Sequence, residues 1–342
     1  MTPAQLKKLD KELTKFLNYI TDGMGRPERR QAMEGYLTGL LLDGERKSAV
    51  SMARRLVEHD SEAEAMRQRL QQCVTISTWA DEEVRCRLAK VFEKRLRPEA
   101  YVVDDTGFPK KGKHSVGVQR QYSGTLGRTD NCQVATSLHV ATDEGSGCIG
   151  MQLYLPEEWA SDIHRRRKTG VPDDVVFRRK WQIAVDLLDD ALGWGLPKRL
   201  VIADAGYGDS TDFRDALVAR ECPYLVGVSS NHMVWPPGSS PRQPKRGGKM
   251  GRPRTRYRDG NRKIVSISSI GEGMRYRKYT VPDGKGGTKT GNFAFARVHL
   301  AERHTKGRPP SKEVWLICEW RPGVIPISAH APIDPEAVIS NR

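Results

Sequence analysis

The protein has 342 residues, 57 Lys and Arg against 42 Asp and Glu, a net charge of +15 and a mean hydropathy of −0.60. This length is enough to bury a conventional core, and a hydrophobic fraction of 37% argues against a wholly disordered chain. Apolar runs stay far below the length of a membrane span and the N-terminus lacks a signal-peptide pattern, so we expect a cytoplasmic protein with no membrane partner.

Residues 1–98 have the apolar spacing of amphipathic helices. In the first stretch, apolar residues recur three and four positions apart: Leu6, Leu9, Leu13, Phe16, Leu17 and Ile20. Asp43-Gly44 and Asp60-Ser61 supply turn and capping residues between helices, and no strand pattern interrupts them. We predict an all-helical domain of four or five helices over 1–98.

Residues 99–230 change to short β-branched runs and predict a mixed α/β sheet. The predicted strands are Tyr101 to Val103, Val116 to Gln121, Asn131 to Ala141, Ile149 to Leu155, Leu200 to Ala203 and Tyr224 to Val228. Amphipathic helices are predicted over 178–192 and 210–220, on either side of the strand that begins at Leu200.

Residues 231–320 combine a basic linker with β-like segments, and we interpret them as a β-rich insertion. The β-like segments are Ile264 to Ile270, Met274 to Thr280, Phe293 to Leu300 and Val314 to Glu319. Residues 321–342 contain four prolines and no helical apolar face, which predicts an irregular tail.

Two carboxylates follow apolar strands directly: Asp104 after Val103, and Asp204 after Ala203. In a mixed α/β sheet, ligands and catalytic groups gather at such strand ends. Acids on adjacent strands share hard divalent cations, which activate water or a 3′-hydroxyl for attack on a phosphodiester. The alternative is that both residues only cap turns, since Asp-Thr-Gly and Asp-Ala-Gly are ordinary turn sequences.

The positive charge is concentrated in residues 241–263, which hold ten Lys and Arg against one acid. This concentration is typical of contact with a polyanion, although a solvated basic loop remains the alternative. Within it, the Gly-Arg-Pro sequence at 251–253 resembles minor-groove hooks, but phosphate contact is the favoured role. The candidate DNA-binding residues there are Arg246, Lys249, Arg252, Arg254 and Arg256.

Four further groups of residues can be interpreted from the sequence. Lys110, Lys111 and Lys113 follow the first acid and are candidates for substrate-backbone contact, with a solvated turn as the alternative. The basic run 164–168 is interpreted as a solvated loop, and Trp235 is either a core residue or a base-stacking residue. The six cysteines show no zinc-ligand spacing, so we expect reduced thiols.

Three blocks of sequence, in order, resemble insertion-sequence transposases of the DDE superfamily, in the IS701-like branch of DDE superfamily endonucleases. They are YLTGLLLDGERKSAVSMA from Tyr36, VVDDTGFPKKGKHSVGVQRQYSGTLGRTDNCQVATSLHVAT from Val102, and LVIADAGYGDSTDFRDAL from Leu200 with LVGVSSN after it. The resemblance spans about residues 1–320.

The resemblance implies an RNase H-like catalytic core, a helical DNA-binding domain before it and a β-rich insertion after the second acid. Asp104 matches the first catalytic acid, with Asp105 as the fallback, and Asp204 matches the second. It also implies Mg²⁺ or Mn²⁺ as cofactor, double-stranded DNA as partner (terminal inverted repeats and target), a homodimer on paired ends, and a nucleoid-associated location. The implied reaction is cleavage of DNA followed by strand transfer.

The family's third acid lies on a helix after the insertion, and no such helix is expected in this sequence. We therefore expect a chain truncated before that acid, with Glu319 as a weak substitute that is more readily explained as a strand-end surface acid. This leaves a second hypothesis, a catalytically inactive transposase remnant that binds or regulates element ends. A metal-dependent nuclease with no role in transposition is a third.

Overall fold

A computed structural model describes residues 2–243, 256–282, 287–301, 309–320 and 336–340 of the protein. The chain divides into two compact units, Met1–Lys94 and Arg95–Arg342. Among the helices in the described ranges, none combines the length and the apolar character needed to cross a membrane.

The first unit is helical, as the apolar spacing predicts. Its α-helices over the described residues are α1 (Pro3–Thr21), α2 (Pro27–Leu41), α3 (Ala49–Leu56), α4 (Ala63–Thr75) and α5 (Asp81–Leu96), the last of which runs into the second unit. Its buried residues include two small clusters, Met24 with Met33 and Cys73, and Met52 with Leu70 and Ala53. Tyr36 packs against both clusters and so joins them.

The second unit contains one mixed β-sheet with helices. In chain order its elements are β1 (Ala100–Pro109), β2 (Gln119–Ser123), β3 (Arg128–Ala141), β4 (Ser146–Leu153), α6 (Glu157–Ser161), α7 (Ile163–Thr169), α8 (Lys180–Gly193), β5 (Leu200–Ala203), α9 (Ala205–Gly208), α10 (Thr211–Ala219), β6 (Tyr224–Val228), β7 (Met233–Trp235), β8 (Val265–Ser266), α11 (Ile267–Glu272), β9 (Arg277–Pro282), β10 (Thr288–Leu300), β11 (Glu313–Trp320) and β12 (Glu336–Ser340).

The strand order gives the sheet its RNase H-like core. β3 is antiparallel to β1 and pairs with all ten of its residues, and β4 is antiparallel to the second half of β3. On the other side of β1 lie β5 and then β6, both parallel to it. The order β4-β3-β1-β5-β6, with only β3 reversed, is the RNase H-like arrangement and confirms the predicted fold class.

The remaining strands extend this sheet beyond β6 in the order β12, β11, β10, β7 and β8, with β9 paired to β10. The β-rich segments after residue 231 are therefore hydrogen-bonded into the same sheet as the core.

The two faces of the core sheet differ in polarity. Tyr101 and Val103 of β1 are buried on one face, as are Val201 and Ala203 of β5. Helix α8 covers this face, packs on β3 and β4, and contacts α10. Val102 and Ile202 point to the opposite face and are only half-buried. Side chains on the covered face therefore lie among helices, and those on the other face are accessible.

Four local predictions differ from the structure. β1 continues through Asp104 and Asp105 to Pro109, because pairing with the long β3 outweighs the weak strand propensity of Asp and Gly. The β-like run from Ile264 gives the two-residue β8 and then α11, whose first turn Ser266 caps through Ser269 N. The basic run at 164–168 lies in helix α7 instead of a loop, and the tail predicted to be irregular contains β12.

Candidate active site

Asp104 and Asp204 lie side by side at one end of the parallel pair of strands. Val103 and Ala203 are register partners between β1 and β5, and the next residue of each chain segment is the aspartate. Asp104 has the same strand parity as Val102, so its side chain points to the accessible face, where it is exposed. The topology therefore brings together the two acids that the sequence singled out.

The position of Asp204 is fixed by the short helix that follows it. Its carbonyl oxygen accepts hydrogen bonds from Tyr207 N at 3.2 Å and Gly208 N at 2.8 Å, which makes it the N-cap of α9. Gly208 packs tightly against Gly227 of β6, where there is no room for a side chain. The backbone of Asp204 is thereby held by both its own strand and its neighbour.

The carboxylate of Asp204 is electrostatically unfavourable in its ionised form. Although the side chain reaches solvent, the surrounding protein removes part of its water, and this desolvation is the main cause of the raised pKa of Asp204. The negative charges of Asp105 and Asp104 raise this pKa further, against the hydrogen bonds from the Tyr207 and Gly206 backbone. No Lys, Arg or His among the described residues forms an ion pair with Asp104 or Asp204.

Asp105 points to the other face of the sheet and is already fully engaged there. Its carboxylate pairs with Lys180 Nζ of α8 at 2.6 Å and accepts hydrogen bonds from the hydroxyls of Tyr207 at 2.5 Å and Thr136 at 3.2 Å. Its side chain is 24% exposed. A carboxylate with these partners ties β1, β3, α8 and α9 together, and this favours Asp104 over Asp105 as the free acid of the site.

The pattern of the sequence did not reveal the partners of Asp105. Thr136 and Tyr207 lie within the quoted blocks but carried no assigned role, and Lys180 lies outside those blocks. The only sequence signal was the position of Tyr207 in the segment Ala-Asp-Ala-Gly-Tyr.

The oxygen atoms at this site supply part of the ligand set of a hard divalent cation. Magnesium is bound in proteins through one or two carboxylates together with substrate phosphates, and Asp104 and Asp204 supply two uncompensated carboxylates. Over the described ranges, no group of three or more His, Cys, Asp or Glu residues is placed to hold a metal ion. The pair therefore fits a site that a substrate phosphate completes.

Glu319 is not part of this site. It lies on β11, and β5, β6 and β12 separate that strand from β1. At about 4.8 Å per strand this places β11 roughly 19 Å from β1. Glu319 pairs with Lys289 Nζ at 3.3 Å across the sheet, which agrees with its interpretation as a strand-end acid.

The candidate DNA-binding residues are found in two places. Lys110, Lys111 and Lys113 form the loop after β1, with Lys111 and Lys113 exposed. Arg256 is exposed beside a cavity of about 670 Å³ that is also lined by Arg258, Arg262 and Lys263. The predicted contacts Arg246, Lys249, Arg252 and Arg254 lie outside the described residues.

Trp235 is a core residue in this structure. It lies in β7 opposite His299 of β10, and only 3% of it is exposed although it lines the same cavity. This burial agrees with the interpretation of Trp235 as a core residue and argues against the stacking of a DNA base on its indole ring.

Comparison with known proteins places the chain in a family. A family model described as DDE superfamily endonuclease matches residues 16–288. A probable transposase for insertion sequence element IS701 from Microchaete diplosiphon is 31% identical over 199 residues, which is 57% of this chain and 48% of that protein. The chain thus spans about half the length of this curated relative.

Two solved transposase structures are also similar. A cryo-EM structure of the piggyBac transposase synaptic complex with hairpin DNA aligns with a TM-score of 0.35 and 10% identity, over 95% of this chain and 60% of that one. The Mos1 transposase paired-end complex with left transposon end aligns with a TM-score of 0.21 and 15% identity, over 59% of each chain. Both TM-scores are below 0.5, so the family assignment depends on the sequence matches. The chain belongs to the DDE superfamily endonucleases.

Proposed function

We propose that the protein is an insertion-sequence transposase that binds the ends of its element, cleaves DNA and joins the freed 3′-hydroxyl to target DNA. The observation that carries this proposal is the pair Asp104 and Asp204, adjacent in register on parallel strands and without a cationic partner among the described residues. Family membership and the relative named a probable transposase support it.

In this proposal Asp104 and Asp204 hold Mg²⁺ or Mn²⁺ together with a phosphate of the substrate. A bound divalent cation lowers the pKa of water and stabilises the leaving oxygen of a phosphodiester. The two carboxylates orient the phosphate, and the accessible sheet face admits the DNA strand to them. Asp105 acts as a positioning residue, because its bonds to Lys180 and Tyr207 fix β1 against α8 and α9.

The test is cleavage and strand joining on a labelled duplex that carries the ends of the element encoding this chain, with Mg²⁺ and with Mn²⁺. The wild-type chain is compared with Asp104→Asn, Asp204→Asn and the matched control Asp130→Asn. Asp130 is a strand acid on β3 that pairs with the exposed Arg128, far along the strand from Asp104. Binding to the same duplex is recorded in parallel.

We expect metal-dependent products with the wild-type chain and Asp130→Asn, and none with Asp104→Asn or Asp204→Asn, at unchanged duplex binding. Products that persist in either active-site variant would remove that residue from the reaction. Glu319→Gln is expected to cleave normally, since its strand β11 lies about 14 Å from β5 and about 19 Å from β1 in the sheet.

The second candidate function is an inactive transposase remnant that binds or regulates element ends. One observation favours it, namely that the described residues place no third carboxylate with Asp104 and Asp204 to hold a metal ion. Specific binding to element ends without products in either metal would establish this role and refute the enzymatic one.

The proposal assigns DNA recognition to the helical segment 1–98 and includes a homodimer on paired ends at the nucleoid. Its support is the placement of a separate helical unit before the core. Sedimentation of the full chain with and without paired element ends tests the dimer, and we expect two copies per pair of ends.

A further inference from the structure

The loop after β1 and helix α7 lie about fifty residues apart in sequence, but the side chain of Arg165 fastens them together. Arg165 Nη2 donates hydrogen bonds to the carbonyl oxygens of Lys113 at 2.8 Å and Val118 at 3.3 Å. Its guanidinium stacks on the indole of Trp159, with Cζ 3.6 Å from the ring centroid. Trp159 is fully buried and donates from Nε1 to the same Val118 carbonyl at 2.8 Å. The loop is thus clamped to α6 and α7.

The same loop is fixed from its other side by β3. Asn131 Nδ2 donates to the carbonyl oxygens of Lys110 at 2.6 Å and Gly112 at 3.0 Å. Gln133 Nε2 donates to the Val116 carbonyl oxygen at 2.6 Å. A loop whose backbone is held at so many points has already lost most of its conformational entropy, so binding a ligand there costs less.

Four cationic side chains of the loop and of α7 remain exposed to solvent. In α7, Arg166 is turned inward and bonds to the carbonyl oxygens of Ala160 and Pro172, whereas Arg167 and Lys168 are exposed. Lys111 and Lys113 are exposed on the clamped loop. Within the described part of the chain, none of these four exposed cations forms an ion pair, and Asp162 is used as the N-cap of α7. Four uncompensated charges on a rigid support are suited to phosphates.

We propose that Lys111, Lys113, Arg167 and Lys168, here called the basic ridge, form one binding surface for the phosphates of duplex DNA. This inference rests on the proposed function and extends it, because it adds Arg167 and Lys168 of α7 to the DNA-binding residues. β1 runs on from Asp104 to Pro109, about 17 Å at about 3.3 Å per residue, and the loop that carries Lys111 and Lys113 follows it.

The first experiment measures the salt dependence of binding to a duplex with the element's ends, for the wild-type chain, Lys111→Ala, Arg167→Ala and the double variant. Lys198→Ala is the matched control, because Lys198 is an exposed cation that pairs with Glu221 at the opposite end of the parallel strands. Each ridge substitution is expected to reduce the slope of log K against log salt by about 0.9, and the double variant by about twice that. The control is expected to leave the slope unchanged.

A second experiment needs no substitution. Lys113 and Lys168 of the wild-type chain are acetylated with and without duplex, and the modification is read by mass spectrometry. We expect the duplex to protect both lysines and to leave Lys198 reactive. Unchanged slopes in the ridge variants, or equal reactivity of Lys113 and Lys168 with and without a bound duplex, would overturn the ridge while the proposed function stands. A wild-type chain that binds no duplex would overturn both.

Discussion

Gly208 of α9 lies directly against Gly227 of β6. A Cβ added to Gly208 would come within 1.8 Å of the Gly227 carbonyl oxygen, and one added to Gly227 within 2.8 Å of Ala205 N. This contact leaves no space between the helix that Asp204 caps and the neighbouring strand. The two glycines therefore set the position of the Asp204 backbone.

Gly208→Ala is expected to destabilise the protein and to displace Asp204. The blocking atom belongs to the backbone, so the strand and helix must separate, and overpacking of this kind costs about 1–3 kcal/mol. Gly193→Ala is the control, because a Cβ at Gly193, at the end of α8, meets no atom within 4 Å. Urea unfolding measures the stability of both variants against the wild-type chain. Equal stability of the two variants would show that the α9–β6 contact is loose.

Asp204→Asn is expected to raise the Tm of the metal-free protein slightly while abolishing cleavage. The fold disfavours the ionised carboxylate, since burial and the charges of Asp105 and Asp104 raise the pKa of Asp204. Because the pKa of Asp204 is higher in the folded than in the unfolded state, this carboxyl lowers the stability as the pH rises above the unfolded-state pKa near 4. The stability gained by the Asn variant is therefore largest at neutral pH. Calorimetry at pH 7 with and without Mn²⁺ checks this. A lower Tm for the metal-free variant would contradict it.

Lys180→Met is expected to lower the free energy of unfolding by about 1–2 kcal/mol, because it leaves Asp105 partly buried without its cation. Lys198→Met breaks a more exposed pair with Glu221, and exposed pairs contribute about 0–1 kcal/mol. Denaturant unfolding measures the stability of both variants. The same measurement on Asp105→Asn and on the double variant Lys180→Met/Asp105→Asn gives the coupling free energy between Lys180 and Asp105. Additive effects in the double variant would show that the pair is not coupled.

All six cysteines are free, and four of them are buried: Cys73, Cys132, Cys222 and Cys318. Burial raises the pKa of Cys318 to about 11 and raises that of the other three as well. We expect iodoacetamide at pH 8 to modify the partly exposed Cys86 well before these four, as read by mass spectrometry. Because the fold favours the protonated thiols, their contribution to stability is complete below the unfolded thiol pKa near 8.5 and is lost as the pH rises above it. Rapid modification of Cys318 in the native protein would contradict its burial.

The sequence by itself determined the helical character of residues 1–98, the main strands and helices that follow, and the two acids. Local patterns carry such information: the spacing of Leu13 and Leu17 predicts a helix, and the run from Leu200 to Ala203 predicts a strand that ends at Asp204. Asp104 and Asp204 were identified from their places after apolar strands and from a family resemblance, and the family match confirms that resemblance.

Only the tertiary structure decided which neighbours those residues have. Whether Asp104 or Asp105 is free depends on the face to which each points, and that follows from the pairing of β1 with β3 and the packing of α8 through Lys180. The distance of Glu319 from the site depends on the strand order, and the clamp at Arg165 joins segments far apart in the chain. Pattern and propensity describe interactions between residues close in sequence, whereas these contacts form across long loops and are selected by the packing of the whole sheet.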